Sequence, residues 1–171
     1  GYATRLYPLT LNQPKALLSI KGIPLLNYTI KKLEEIPDIQ EIFIITNEKF
    51  YMSFIWWLNQ NKFSKKIEII NDGTTSNETR LGGVGDLNFV IEKENINDDI
   101  LVIAGDNLFD FNLQDIIDFF KQVKKTTVGI YELDSEEIKK MSSVIIKEGK
   151  IIDFEEKPQN PKTNLSSIGI Y

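Results

Sequence analysis

The sequence predicts an α/β fold in which a largely parallel, mixed sheet carries helices on both faces. Strand and helix signals alternate along most of the chain. Glu41–Thr46 is a short, nearly continuous apolar run, which is typical of a parallel strand buried on both faces. Ser143–Lys147 and Ile151–Glu155 flank a Glu148–Gly149 turn and predict an antiparallel hairpin late in the chain. With 171 residues, the chain is long enough for one domain with a hydrophobic core.

Apolar residues at helical spacing predict the first two helices. One helix covers residues 25–36 and stops before Pro37, and the second covers residues 48–59. Met52 and Trp56 fall on the outer side of the second helix, where they form either another packing layer or a partner surface. Each helix has one apolar face that we expect to enter the core. The face of the first helix is formed by Leu26, Ile30 and Leu33, and that of the second by Phe50, Phe54, Trp57 and Leu58.

More strands and a capped helix follow. Strands are predicted at Lys66–Ile70, Asp99–Ala104 and Thr126–Leu133. Asn112 is a residue type that caps helices, and apolar residues at helical spacing follow it, so we expect a helix to begin there. The Asp134–Glu137 spacing is that of a capping box and predicts a short helix.

Composition and charge exclude several classes of function. The net charge of −5 and the pI near 4.9 argue against broad nucleic-acid or membrane binding. No apolar run reaches the roughly 18 residues that a membrane span needs. The chain has no histidine, which excludes histidine-based triads, histidine general bases and most zinc sites. It also has no cysteine, which fits a reducing compartment, so we expect a cytoplasmic protein.

The first fifteen residues combine small and cationic residues as a phosphate-binding loop requires. Small residues from Gly1 onward allow backbone N–H groups to approach a phosphate. Arg5 offers a planar fork of donors to phosphate oxygens, and Lys15, after Pro14, offers a compact point charge. We predict a phosphate-gripping loop; the alternative is a polar surface loop followed by an amphipathic segment. Ala3 suits such a loop only if its backbone stays at negative φ.

An acidic turn follows the most apolar predicted strand. Residues 104–107, Ala-Gly-Asp-Asn, stand at the carboxyl end of that strand, and ligands bind at this edge of open α/β sheets. Mg²⁺ prefers oxygen ligands and is usually held by one or two carboxylates together with substrate phosphates. Asp106 is therefore the strongest candidate for a magnesium ligand, and the alternative is a simple strand-ending turn.

A glycine-rich segment occupies residues 80–87. Its glycines, Gly82, Gly83 and Gly85, do not have the G-x-G-x-x-G spacing of a dinucleotide fingerprint, and no strand leads directly into them. A nucleotide-binding turn and a purely structural glycine-rich turn are the two interpretations of this segment.

Taken together, these segments resemble the signature of the sugar-phosphate nucleotidyltransferases, or nucleoside diphosphate-sugar pyrophosphorylases, in particular the glucose-1-phosphate thymidylyltransferase-like proteins. Residues 1–10 and 14–18 are similar to the family elements G-x-G-T-R-L-x-P-L-T and P-K-x-L-L. Residues 81–87 are similar to L-G-T-A-G-A-L, and residues 154–158 to E-E-K-P. The resemblance implies a Rossmann-like fold of the nucleotide-diphospho-sugar transferase type, with residues 1–171 forming a single catalytic domain that we expect to be incomplete at both ends.

The resemblance also implies a role for each matching residue. Arg5, Lys15 and Asp106 are expected to be catalytic, Asp106 is also expected to bind Mg²⁺, and a second metal-binding acid is expected beyond Tyr171. Lys157 is expected to bind sugar-phosphate oxygens. The nucleotide-binding residues are expected to be Gly1, Ala3, Thr4, Asn71, Gly82, Gly83 and Gly85. The sugar-phosphate-binding residues are expected to be Asn107, Ser143, Glu156, Lys157, Asn164 and Gly169.

The chain departs from the family pattern at a few positions. Ala3 stands where the family usually has its second glycine, and Asp86 adds a carboxylate where the family has alanine, which leaves the base preference open. Ser142–Val144 stands where sugar-binding relatives often have Tyr-Gly-Val, and we expect the serine at the glycine position to narrow the sugar pocket.

The resemblance implies transfer of a nucleoside monophosphate from a triphosphate to a sugar-1-phosphate, with Mg²⁺ as cofactor and pyrophosphate as the leaving group. An alcohol phosphate such as a choline-type headgroup is an alternative acceptor, and a homo-oligomer is compatible with the sequence. A nucleotide-sugar-dependent glycosyltransferase is a rival interpretation, although such enzymes usually carry D-x-D where this chain has Asp106-Asn-Leu108. A non-catalytic regulatory or assembly subunit with the same fold is another.

Overall fold

The computed structural model describes residues 2–171, which form two compact units. The first unit comprises the residues up to Asp99 together with Leu108–Asp110. The second comprises Ile100–Asn107 and Phe111–Tyr171. None of the helices within residues 2–171 combines the length and the apolar character that crossing a bilayer would require.

The first unit is built around a parallel pair of strands. β3 and β4 run side by side in register from Glu41–Lys66 to Thr46–Asn71, so their carboxyl ends reach the same edge. The predicted strands and their parallel pairing are confirmed. The elements of this unit are β1 (Ser19–Ile20), β2 (Ile23–Pro24), α1 (Leu25–Glu34), β3 (Glu41–Thr46), α2 (Glu48–Gln60), β4 (Lys66–Asn71) and α3 (Gly82–Lys93), with short 3₁₀ turns at Thr4–Leu6 and Lys15–Leu17.

The two amphipathic helices bury the faces that the sequence predicts, except that Leu58 is only half-buried. In α2 the outward Met52 and Trp56 are each 67% exposed, which confirms their place on the outer side. The cap of α2 is Asn47, whose side chain accepts a hydrogen bond of 3.1 Å from the Phe50 backbone N–H and so satisfies one of the free donors at the helix start. The buried apolar residues of the two helices are Leu25, Leu26, Ile30, Leu33, Phe50, Phe54 and Trp57.

The second unit is mainly antiparallel. β6 and β7 form the predicted hairpin, whose turn residues Glu148 and Gly149 have φ of 51° and 72°. Positive φ at both central positions belongs to the tight turns that join antiparallel strands. Asn112 caps its helix by accepting a hydrogen bond from the Gln114 backbone N–H, as predicted. The elements are α4 (Leu113–Val123), β5 (Ile130–Glu132), β6 (Ser142–Lys147), β7 (Lys150–Glu156) and β8 (Leu165–Ser167), with β5 and β8 antiparallel and a 3₁₀ turn at Ile138–Lys140.

The structure corrects some of the predicted elements. The segment 99–104 is not a full strand of a parallel sheet: Ile103 forms a single antiparallel bridge with Ile170, flanked by hydrogen bonds at residues 102 and 104. The predicted strand 126–133 is shorter, and the predicted helix after Asp134 is a single 3₁₀ turn, although Asp134 does accept the expected backbone hydrogen bonds. These segments bond to distant residues, which local periodicity does not reveal. The α/β class itself is confirmed.

Candidate active site

The N-terminal loop is held together by hydrogen bonds between its own residues. The Thr10 hydroxyl, which is fully buried, donates a 2.8 Å hydrogen bond to the Ala3 carbonyl. The same carbonyl accepts from the Leu6 N–H at 3.0 Å, and the Thr4–Leu6 segment forms a 3₁₀ turn. Thr4 and Arg5 lie on the exposed side of this loop. Gly1, which the resemblance includes among the nucleotide-binding residues, lies outside the described residues.

Ala3 has a left-handed backbone, with φ of 46° and ψ of 42°. We expected alanine to suit this loop only if its φ were negative. The φ of Ala3 is positive, so this condition is not met. A left-handed conformation costs a residue with a Cβ atom roughly 1–2 kcal/mol, whereas glycine adopts it readily. The loop therefore carries backbone strain at the position where glycine would relieve it.

We predict that Ala3→Gly raises the free energy of unfolding by about 0.5–1 kcal/mol, because relief of the left-handed strain exceeds the added chain entropy of glycine. Urea unfolding monitored by circular dichroism measures the change. Ala16→Gly is the matched control, since Ala16 lies in the Lys15–Leu17 turn and does not have positive φ. Equal destabilisation by both substitutions would contradict the predicted strain.

Lys15 lies half-buried at the start of the Lys15–Leu17 turn. Pro14 before it is buried, and its carbonyl accepts a 2.9 Å hydrogen bond from the Leu17 N–H. The Gln13 side chain donates to the Leu17 carbonyl at 2.7 Å. These hydrogen bonds hold the backbone on both sides of Lys15 in one conformation. The Lys15 side chain therefore starts from a fixed position.

Within the first unit, the start of the N-terminal loop meets the exit of β4. The Tyr2 hydroxyl donates a 3.4 Å hydrogen bond to the Thr74 carbonyl, which also accepts from the Glu48 N–H at 3.1 Å. Asn71 ends β4, donates from its side chain to Glu48 and accepts from the Gly73 N–H at 2.8 Å. The structure thus brings the beginning of the loop and the Asn71 exit together at the carboxyl edge of the parallel strands.

The glycine-rich segment forms the first turn of α3, which begins at Gly82. Gly82 has φ of 76°, and at Gly82 and Gly83 no atom other than those of the chain neighbours and the local helix backbone lies within 4 Å of the place where a Cβ would stand. Gly85 is different, because a Cβ there would lie 2.9 Å from the Leu81 Cβ. Gly82 and Gly83 therefore leave an open backbone surface, while Gly85 is required by packing.

Asp86 follows these glycines in α3. Its Oδ1 atom is buried and has no hydrogen-bond partner among residues 2–171. Burial raises the pKa of the Asp86 carboxyl above its ordinary value, and the neighbouring Asp72 carboxyl raises that pKa further. Asp72 was not among the predicted site residues; its position one residue after the end of β4 was the signal available in the sequence.

In the second unit, Asp106 lies exposed in a turn closed by a 3.2 Å hydrogen bond from the Asn107 N–H to the Ala104 carbonyl. Within the part of the chain that the structure describes, no cluster of three or more acidic, histidine or cysteine side chains could hold a metal ion. One exposed carboxylate still fits Mg²⁺, which is usually held by one or two carboxylates plus substrate phosphates. A single carboxylate would not be enough to bind an ion whose ligands all come from the protein.

Asn107 and Gly169 come together beside this turn. The Asn107 side-chain amide donates to the Ile168 carbonyl, and the Ala104 N–H donates to the Gly169 carbonyl at 2.8 Å. Gly169 has φ of 67°, and a Cβ there would lie 3.0 Å from the Ala104 Cβ and 3.4 Å from Asn107 Nδ2. Glycine is therefore required at position 169 for conformation and for space.

Lys157 stands in a strained conformation at the end of the hairpin. Its φ is 48°, and its N–H donates a 2.7 Å hydrogen bond to the Met141 carbonyl. Positive φ in a residue with a long side chain is uncommon, and such strain concentrates at functional sites. The ammonium lies 3.5 Å from the Glu156 carboxylate, and both side chains are largely exposed.

The remaining predicted residues of the second unit have structural partners. Ser143 is buried, and its hydroxyl lies 3.4 Å from the Thr163 hydroxyl. Asn164 donates a 2.8 Å hydrogen bond to Glu132. A cavity of about 380 Å³ lies between residues 133–138 and residues 161–164. Among the described site candidates, only Asn164 lines this cavity. The lining residues are Leu133, Asp134, Ser135, Ile138, Pro161, Lys162, Thr163 and Asn164.

Solved structures with similar folds include nucleotide-sugar enzymes. A crystal structure of a provisionally named glucose-1-phosphate thymidylyltransferase from Bacillus anthracis, in complex with a sucrose, matches with a TM-score of 0.80 at 27% identity, over 99% of this chain and 66% of that one. A UDP-glucose pyrophosphorylase complexed with UDP-glucose matches with a TM-score of 0.75 at 23% identity, over 99% and 71%, and shows the fold alone. The Rossmann-like α/β architecture is confirmed.

Relatives in sequence belong to the same group of proteins. The chain is 32% identical over 174 residues to a provisionally named mannose-1-phosphate guanyltransferase of Sulfolobus acidocaldarius, covering 100% of this chain and 45% of that protein. It is 33% identical over 172 residues to the bifunctional protein GlmU of Methanococcus aeolicus, covering 100% and 38%. It therefore spans less than half the length of these relatives. The family model described as Nucleotidyl transferase matches residues 1–171, and the chain belongs to that family.

Proposed function

We propose that this protein transfers a nucleoside monophosphate from a nucleoside triphosphate to a sugar-1-phosphate. The observation that carries this proposal is the meeting of the N-terminal loop with the Asn71 exit, at the edge of a parallel strand pair, in a chain of the nucleotidyl transferase family. The names of the relatives support a phosphorylated sugar as the acceptor.

In the proposed reaction, an oxygen of the sugar phosphate attacks the α-phosphorus of the triphosphate. A new phosphorus–oxygen bond forms, the bond from the α-phosphorus to the bridging oxygen breaks, and pyrophosphate leaves with that electron pair. The attacking phosphate is already ionised near neutral pH, so no general base is required. The protein has to position two anions that repel each other and to stabilise the charge of the transferring group.

Each proposed catalytic side chain matches one of these tasks. Arg5, exposed on its self-bonded loop, presents a planar fork of donors to triphosphate oxygens. Lys15 supplies a point charge to the α-phosphate. Asp106 would hold Mg²⁺, which when bound neutralises phosphate charge. Lys157 would bind the incoming phosphate, and Glu156 would accept hydrogen bonds from sugar hydroxyls.

We predict that Lys157→Ala raises the KM for the sugar phosphate about tenfold or more, because a charge-assisted hydrogen bond to phosphate is lost. The KM for the triphosphate should change much less. Steady-state kinetics with each substrate varied in turn measures both constants. Lys150→Ala, at an exposed lysine at the start of β7, the strand that ends just before Lys157, is the control. Equal increases in both KM values would count against the proposed contact.

A pyrophosphate-release screen tests the proposed function directly. Triphosphates of the common bases are each incubated with a panel of sugar-1-phosphates and a choline-type phosphate, with Mg²⁺ present. Release of pyrophosphate that depends on an acceptor phosphate supports the proposal. A glycosyltransferase would instead release a nucleoside diphosphate from a nucleotide sugar, and a non-catalytic subunit would release nothing.

A further inference from the structure

The second unit contains two antiparallel strand pairs, β6 with β7 and β5 with β8. Within residues 2–171, every hydrogen bond between β6 and the segment 163–167 involves a side-chain hydroxyl, and no backbone ladder joins them. We call this line of contacts the hydroxyl seam. Its hydroxyl groups are those of Ser142, Ser143, Thr163 and Ser166.

Ser142 bonds to both the backbone and a side chain of β8. Its buried hydroxyl oxygen accepts a 3.2 Å hydrogen bond from the Ser167 N–H and lies 3.2 Å from the Ser166 hydroxyl oxygen. Ser166, which is fully buried, donates its single proton to the Ser167 carbonyl at 3.5 Å. Ser142 is therefore the donor to Ser166, so its hydroxyl has one accepted and one donated hydrogen bond in the seam.

The same end of β6 holds two residues of the proposed acceptor site. Ser142 stands opposite Glu156 in the β6–β7 ladder. The Lys157 N–H donates its 2.7 Å hydrogen bond to Met141, the residue just before Ser142. The backbone of Glu156 and Lys157 is thus held by residues 141–142, and the Ser142 hydroxyl holds those residues to β8.

Two other residues of the proposed acceptor site lie on the far side of the hydroxyl seam. Asn164 directly precedes β8, and Gly169 follows two residues after its end. The Gly169 N–H donates a 3.3 Å hydrogen bond to the hydroxyl of Ser167, whose own N–H donates to Ser142. A sugar phosphate bound by residues on both sides of the seam would need the two strand pairs to keep a fixed relative position.

We propose, on the basis of the proposed function, that Ser142 is a positioning residue for the acceptor phosphate. Its hydroxyl sets the place of the Lys157 end of the hairpin relative to β8, and it acts through Lys157 without touching the substrate. Loss of this hydroxyl would therefore weaken the use of the sugar phosphate. The triphosphate would be much less affected, because Arg5 and Lys15, which are proposed to bind it, belong to the first unit.

Amide hydrogen exchange, measured residue by residue by NMR, tests the structural step without a substrate. Ser142→Ala should raise the exchange rates of the Lys157 and Ser167 N–H groups about tenfold or more, because a buried bond that holds them is lost. Ser166→Ala removes the partner hydroxyl and should shift both rates in the same direction. Thr29→Val, which removes a buried hydroxyl from α1, is the control and should leave both rates unchanged. A native rate at Lys157 in Ser142→Ala and Ser166→Ala would overturn the inference.

Steady-state kinetics test the consequence for the acceptor. In Ser142→Ala, the KM for the sugar-1-phosphate that is most active in the screen should rise about threefold to tenfold, as expected for the loss of one buried hydrogen bond. The KM for the triphosphate should change much less. In a Lys157→Ala background, Ser142→Ala should add no further increase, since the two residues act as one unit. Equal increases for both substrates, or a full further increase in that background, would overturn the positioning role.

The inference and the proposed function fail separately. Faster exchange at Lys157 in Ser142→Ala, in a chain that releases no pyrophosphate with any acceptor, rejects the reaction and keeps the coupling of Ser142 to Lys157. Pyrophosphate release with native exchange and native KM values in Ser142→Ala rejects the positioning role and keeps the reaction.

Discussion

Asp106→Asn is expected to lower the rate of Mg²⁺-dependent pyrophosphate release by about 10²–10³-fold, by analogy with the loss of one charge-stabilising group at a transition state. The substitution keeps the shape of the side chain and removes the negative charge that a divalent ion needs. Because Asp106 is exposed, we expect the thermal unfolding midpoint to stay unchanged. Turnover measured over a range of Mg²⁺ concentrations, together with a melting curve, checks both statements.

Asp110→Asn is the matched control, since it removes a carboxylate from an exposed residue close in sequence. We expect this variant to keep near-native turnover. Near-native turnover in Asp106→Asn as well would remove Asp106 from the mechanism. A loss of folded protein would be visible in the melting curve and would be separable from a loss of chemistry.

Arg5→Met is expected to lower kcat/KM for the triphosphate by about 10²–10³-fold, because it removes a fork of donors from the charge of the transferring group. Arg5→Lys should fall between Arg5→Met and the native protein, since it keeps the charge and loses the planar geometry. Kinetics at saturating sugar phosphate measure the effect. Lys31→Gln, at an exposed position of α1, is the control for loss of one positive charge.

An equal and small effect of Arg5→Met and Lys31→Gln would contradict a specific role for Arg5. It would show that only the net charge of the molecule affects the binding of the triphosphate. Full activity of Arg5→Lys would show that the point charge is sufficient and that the planar fork has no role.

Elements that depend on local chemistry were predictable from the sequence. Asn47 and Asn112 cap their helices with side chains that hydrogen-bond nearby backbone N–H groups, and such bonds need only a few neighbouring residues. The Glu148–Gly149 turn forms for a similar reason, since its residues suit the conformation of a tight hairpin. The parallel strand β3 was predictable because it is a short, nearly continuous apolar run.

Features that depend on distant partners were not predictable. Segment 99–104 bonds to residues 169–171, so its apolar character alone did not reveal that it would form only a bridge. Asp72 and Asp86 are separated along the chain, and Asp72 raises the pKa of the Asp86 carboxyl only because β4 and α3 are folded. The positive φ of Ala3 occurs in a loop closed by the Thr10 hydrogen bond, and hydrophobic periodicity does not encode either feature.

In the candidate site, too, some features were predictable from the sequence and others were not. The residue types at Arg5, Lys15, Asp106 and Lys157 were available from motifs, whereas their environments come from the structure. Lys157 illustrates this difference: its motif suggested a phosphate ligand, and the strained backbone with its bond to Met141 was visible only after folding.

The most direct test of the proposed reaction follows the phosphorus atoms. A triphosphate labelled at the α-phosphorus, and a second sample labelled at the γ-phosphorus, are each incubated with the chain, Mg²⁺ and a sugar-1-phosphate. We predict that the α label appears in a nucleoside diphosphate-sugar and the γ label in pyrophosphate, and only when the sugar phosphate is present. Recovery of the α label in unchanged triphosphate or in free nucleoside monophosphate, for every base and every acceptor, would contradict it.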